Sequence, residues 1–105
     1  MKFHLFDTVK LTQKITLNDG GIANIGTVGT IVEIFNQDEA YLIELFGNWV
    51  KYDHEGNFIN TFPNDQNAFV ETIGIETVYP EQLELVKSAK QTISKKAYLL
   101  TVLDN

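Results

Sequence analysis

The sequence predicts an all-β protein, a small barrel of five to seven antiparallel strands. Two observations predict it. Runs dense in Val, Ile, Thr, Phe and Tyr recur along the chain, the residue types that fit a pleated, half-buried surface. Between them stand clusters of Gly, Asn and Asp, which tolerate the backbone angles of tight turns.

The first strand is Phe6-Asp7-Thr8-Val9-Lys10-Leu11, where apolar and polar residues alternate with period two. Phe6 falls on the face opposite Val9 and Leu11, so a bend or a second contact is expected there. Asn18-Asp19-Gly20-Gly21 is a turn. Thr27-Val28-Gly29-Thr30-Ile31-Val32-Glu33-Ile34-Phe35 is a strand, with Gly29 expected at a bulge or sharp bend. Asn36-Gln37-Asp38-Glu39 turns the chain, and Ala40-Tyr41-Leu42-Ile43-Glu44-Leu45-Phe46 returns as its antiparallel partner. In this hairpin Glu33 and Glu44 sit between apolar neighbours and are expected on the solvent face.

After Gly47-Asn48 a second hairpin is expected. It runs through Trp49-Val50-Lys51-Tyr52, turns at Asp53-His54-Glu55-Gly56-Asn57 and leaves by Phe58-Ile59. Phe62-Pro63-Asn64-Asp65-Gln66-Asn67 is a loop. Residues 68–78 form a strand interrupted at Gly74, with Glu71 and Glu76 outward. Tyr79-Pro80-Glu81-Gln82-Leu83 predicts a single 3₁₀ turn begun by proline, and Glu84-Leu85-Val86 closes the barrel. From Ser88 onward, Ala89, Ile93, Ala97, Leu100 and Leu103 recur at helical spacing, which favours a C-terminal helix. Tyr98-Leu99-Leu100-Thr101-Val102-Leu103 is also readable as an extra strand on a barrel edge. The organisation expected is one barrel domain over 1–86 with an insertion around 47–75, and a C-terminal extension over 87–105.

A length of 105 residues allows one modest core and not two. The chain has no cysteine, which removes disulfides and thiolate metal sites and fits a reducing cytoplasm. No apolar run approaches the roughly 18 residues that span a bilayer, and the apolar part of the N-terminus is too short for a signal peptide. A cytoplasmic protein with no membrane association is therefore expected.

Charge narrows the partner. Fourteen acids against eight bases give a net charge of −6, and all eight bases are lysines. Between Ile15 and Val86 there is one lysine, Lys51, against twelve acids. An acidic body repels phosphate backbones and attracts cationic surfaces, although acids also keep a small protein soluble.

Four pieces stand in order: Asp7-x-Val9-x-Leu11; Gly26-x-x-Gly29-Thr30-Ile31-Val32-Glu33; Tyr41-x-Ile43-Glu44-Leu45; and Val78-x-Pro80-x-Gln82-Leu83-Glu84-Leu85-Val86. Together they resemble a family of small bacterial SH3-like barrel proteins of unknown function, often encoded beside toxin domains. The resemblance covers most of the chain from Phe6 to Val86. The stretch from Gly47 to Ile75 is longer than the family's usual connection, and the tail after Val86 is extra. The resemblance implies an SH3-like barrel and an immunity-type role. In such a barrel Gly26 and Gly29 would relieve crowding where the strands coil, and the turn after Tyr79-Pro80 would bring the last strand to the first.

No reaction class emerges, so the chain is expected not to be an enzyme and to need no cofactor or metal. The two histidines, His4 and His54, are fifty positions apart, and both are expected at the surface. Asp53-His54-Glu55 has the composition of a metal clip, but adjacent strand residues point to opposite faces and chelate poorly. Asp19-Gly20-Gly21 lacks the lysine and following helix of a phosphate loop. Glu33 with Glu44 would need a pocket to act as a catalytic pair.

The expected function is protein binding, as an immunity or antitoxin-type protein that neutralises a basic, possibly nuclease, toxin through an acidic face. The contact residues expected are Glu33, Asp38, Glu39 and Glu44 with Trp49, Tyr52, Asp53 and Glu55. Phe58 and Phe62 are read as core. Alternatives are an accessory SH3-like subunit of a larger complex and a nucleic-acid or ribosome-binding barrel; a near-absence of bases from the body argues against the last.

Overall fold

The computed structural model describes residues 2–89. The expected helix or strand of the tail lies outside the described residues, save for its first residues, Ser88 and Ala89. The chain runs through β1 (Thr8–Leu11), β2 (Ile15–Thr16), β3 (Ile22–Ala23), β4 (Val28–Phe35), β5 (Ala40–Tyr52), β6 (Phe58–Asn60) and β7 (Phe69–Val78). A 3₁₀ turn (Pro80–Gln82) and β8 (Leu83–Lys87) follow. Six strands form one antiparallel sheet in the order β6-β5-β4-β1-β8, with β7 also paired to β5, while β2 and β3 make a separate ribbon. The all-β expectation holds.

Strand β5 organises the sheet because it is long enough to serve three partners. It pairs with β4 over its first half, with β7 along most of its length, and with β6 at its far end. Period-two alternation sends Tyr41, Ile43 and Leu45 inward, each with essentially no exposed surface. They meet Val9, Leu11, Ile31, Val78 and Leu83, and Phe3, Leu17 and Ala23 complete the core. Each large aliphatic side chain buried in this way contributes roughly 1.5–3 kcal/mol.

Gly29 is a point of close approach. A Cβ there would lie 2.6 Å from Ile43 Cγ2 and 2.7 Å from the Glu44 carbonyl oxygen. The expected bulge lies further along β4, where the register slips between Ile31 and Glu33. At the following turn Asn36, Gln37 and Asp38 all adopt positive φ, of 46, 58 and 74°. Left-handed backbone is costly for residues other than glycine, and Asp38 supplies compensation. Its carboxylate accepts the Tyr41 hydroxyl proton at 3.1 Å and lies 3.8 Å from the Lys2 ammonium. The Tyr41 hydroxyl in turn accepts from the Phe3 N–H at 3.2 Å. Burial is the main influence pushing the Tyr41 phenol above its usual pKa, which keeps it a donor.

Several expectations are corrected. The bend expected at Phe6 is there, as its positive φ of 68°, but the strand starts at Thr8 and not at Phe6, whose ring is exposed. Gly47-Asn48 does not end a strand, and β7 runs on through Gly74, although its pairing with β5 slips there, between Gly74 and Thr72. The two-residue strands β2 and β3 carry too little pattern to be read, although the turn between them forms as expected with Gly20 at φ +91°.

Glu76 is buried, not outward. It stands opposite Ile43, and its Oε2 accepts the Asn18 N–H at 3.0 Å, tying the β2–β3 ribbon to the sheet. Ile75 takes the outer position instead, opposite Glu44. Glu44 is half-buried, not fully on the solvent face, because Thr72 Oγ1 donates to its Oε2 at 2.7 Å.

The proline turn forms where expected, and β8 pairs with β1 through Leu11–Leu83, Lys10–Glu84 and Val9–Leu85. Among the described residues no ladder joins β8 to β7. The described residues thus form a curled half-barrel in which β7 and β8 are not paired to each other.

Candidate functional site

Beyond Leu45, β5 leaves the core and continues as an arm. Two register irregularities, between Leu45 and Phe46 and between Phe46 and Trp49, let it twist while staying paired to β7. Glu71 supports this stretch by accepting the Asn48 N–H at 3.0 Å. Past it, Val50, Lys51 and Tyr52 pair with Asn60, Ile59 and Phe58.

The tip is built by Asp53. Its Oδ1 accepts from the N–H groups of Glu55 and Asn57, each at 2.9 Å, and its own N–H donates to the Asn57 carbonyl. Gly56 supplies the positive φ of 84° that the turn needs. Asp53 is therefore occupied in holding the hairpin, whereas His54 and Glu55 project into solvent. Among the described residues no three His, Asp or Glu side chains converge as they would on a metal ion.

Asp65 organises the return loop. Its Oδ1 accepts from the Asn67 N–H at 2.9 Å, and its Oδ2 accepts from the Lys51 ammonium at 2.9 Å and the Thr61 hydroxyl at 2.8 Å. The Asn67 N–H, then the Lys51 ammonium and the Thr61 hydroxyl, hold its pKa down to about 2. A carboxyl depressed on folding stabilises the fold fully above its unfolded value, and that contribution is lost as pH falls through about 2. An NMR titration is expected to show the Asp65 carboxyl changing with a midpoint near 2; a midpoint at the ordinary aspartate value would contradict this network.

The arm carries the most distinctive surface. The rings of Tyr52, Phe58 and Phe69 form a triad with centroids 5.1 to 5.3 Å apart. Tyr52 is 62% exposed and Phe58 51% exposed. Ile59, opposite Lys51 on the other face of the arm, and Phe62 are also exposed, and Trp49 is 40% exposed. The expectation of Phe58 and Phe62 as core is overturned. β6 is three residues long and, among the described residues, pairs only with β5 and has no second layer over it.

The eight residues expected at a contact surface fall into two groups. Glu33, Asp38 and Glu39 lie at the β4–β5 turn, and Trp49, Tyr52, Asp53 and Glu55 lie on the arm. At about 3.3 Å per residue along β5, the separation runs from roughly 23 Å, between Trp49 and Glu33 opposite Leu42, to roughly 40 Å at most, between the turn and Tyr52, with Glu44 between the groups. They are two surfaces. Asp38 and Asp53 are engaged in turns, which leaves Tyr52, Trp49 and Glu55 as the outward groups of the arm. Phe69 completes the triad and is not among the eight; its signal was the cross-strand alignment of 50–52 with 58–60 and 69, which depends on register.

No protein-family model, no curated protein and no solved structure matches this chain. No helix among the described residues is long and apolar enough to cross a membrane.

Proposed function

We propose that this protein works by binding another protein, and that the aromatic face of the arm is its principal contact. The observation that carries the reading is the ring triad of Tyr52, Phe58 and Phe69, two of whose members are more than half exposed. Exposed clustered aromatics on a paired strand offer large contact area at little cost in side-chain entropy. Acidic charge favours a basic partner: residues 47–75 hold one lysine against four acids, and that lysine is already matched to Asp65. Within this reading the role is that of an immunity or antitoxin-type protein that blocks a basic toxin, for which the resemblance to small SH3-like barrel proteins is the support.

The test is calorimetric titration with the product of the adjacent upstream gene, at low and high salt, with co-expression to score rescue from toxicity. Tight binding that weakens as salt rises, accompanied by rescue, is the expected result. Absence of both would overturn the immunity reading.

A further inference from the structure

On the outer face of the sheet, where the arm begins, an open groove of about 400 Å³ runs between the start of β4 and the arm. Gly26, Thr27 and Val28 line it from the β4 side, and Phe46, Gly47, Trp49 and Val70 from the arm side. Trp49 and Val28 are 40% and 38% exposed, so their apolar surface is accessible. This groove is separate from the ring triad.

Beside the groove stands a carboxylate held in place. Thr30 pairs with Glu44, and Val28 lies two residues before Thr30, so Glu44 shares the face that carries the groove. Thr72, opposite Phe46, donates its hydroxyl to Glu44 Oε2 and fixes the carboxylate next to the strand position that Phe46 occupies. That carboxylate keeps further acceptor capacity. Among the described residues the cations Lys10 and Lys51 are already matched. Lys10, opposite Val28, has its ammonium 3.6 Å from Glu84, and the Lys51 ammonium is 2.9 Å from Asp65.

An indole face in an apolar cleft next to an oriented carboxylate fits a planar cation on a long aliphatic stem. We infer that this groove receives one arginine side chain of the basic partner, its stem against Val28 and Val70, its guanidinium over Trp49 and toward Glu44. The inference rests on the reading that the partner is a basic protein. It adds an anchor on the opposite side of the arm from the ring triad.

Trp49 is the chain's one tryptophan, so its fluorescence reports this groove directly. The probe is a short capped peptide with a single arginine, titrated into the folded full-length protein. The expected result is a saturable change in Trp49 emission in the millimolar range, absent for the same peptide with citrulline, which keeps the shape and loses the charge. Glu44→Gln, checked for folding by circular dichroism, should weaken the response about three- to tenfold. A variant with Tyr52→Ala and Phe58→Ala, which removes the ring contact, should keep the arginine response unchanged. This separates failure of the groove from failure of the arm as a protein contact. No saturable change with arginine, an equal response to citrulline, or an unaltered response in Glu44→Gln would overturn the inference.

Discussion

Replacing Asp7 with alanine is expected to destabilise the fold by about 3 kcal/mol, more than any other single loss of a polar group among the described residues. Asp7 is 2% exposed, and its two carboxylate oxygens serve different parts of the chain. One accepts the His4 N–H at 2.8 Å, and the other accepts the Ala89 N–H at 2.8 Å across 82 positions of sequence. The Asp7 backbone is also paired, its N–H with the His4 carbonyl and its carbonyl with the Ile31 N–H. Alanine would keep the backbone bonds and leave two N–H groups without their acceptor, the Ala89 one in a buried setting. Asn retains one acceptor oxygen, so Asp7→Asn should cost about half as much. Chemical denaturation of the two variants checks this. A loss below about 1 kcal/mol for alanine would contradict the role assigned to the carboxylate.

The second large effect is on binding. A variant carrying Tyr52→Ala and Phe58→Ala is expected to lose about 100-fold or more in affinity for the proposed basic partner, because clustered aromatic anchors carry most of the energy of such contacts. Its stability should fall by only about 1–3 kcal/mol, the worth of the ring contacts removed. Glu33→Gln with Glu39→Gln, at the far end of β5, is the matched control. It should change affinity less than about threefold, the scale of peripheral charges. Calorimetry on the three proteins decides the matter; a larger effect from the turn acids than from the aromatics would reverse the assignment of the surface.

The core strands were legible because their alternation is local. Val9 and Leu11 on β1, and Tyr41, Ile43 and Leu45 on β5, face inward as their period requires. The proline turn at 80–82 was legible for a similar reason, since Pro80 sets its own φ. What could not be read depends on partners remote in sequence. The inward position of Glu76 makes sense only with the Asn18 N–H waiting for it 58 residues away. Phe58 has the composition of a core residue, and only the sheet order shows that no other described strand lies over it. The acids at 33–39 and the aromatics at 49–58 look close in sequence, yet an uninterrupted β5 holds them at opposite ends. Gly47-Asn48 hid that continuity, because turn-forming residues here serve a twist in a strand and not its end.

Amide hydrogen exchange on the complex tests the central claim most directly. Binding through the arm predicts new protection at 49–53 and 58–62, with exchange at the 36–39 turn unchanged. Protection confined to the turn, with the arm exchanging as in the free protein, would contradict it.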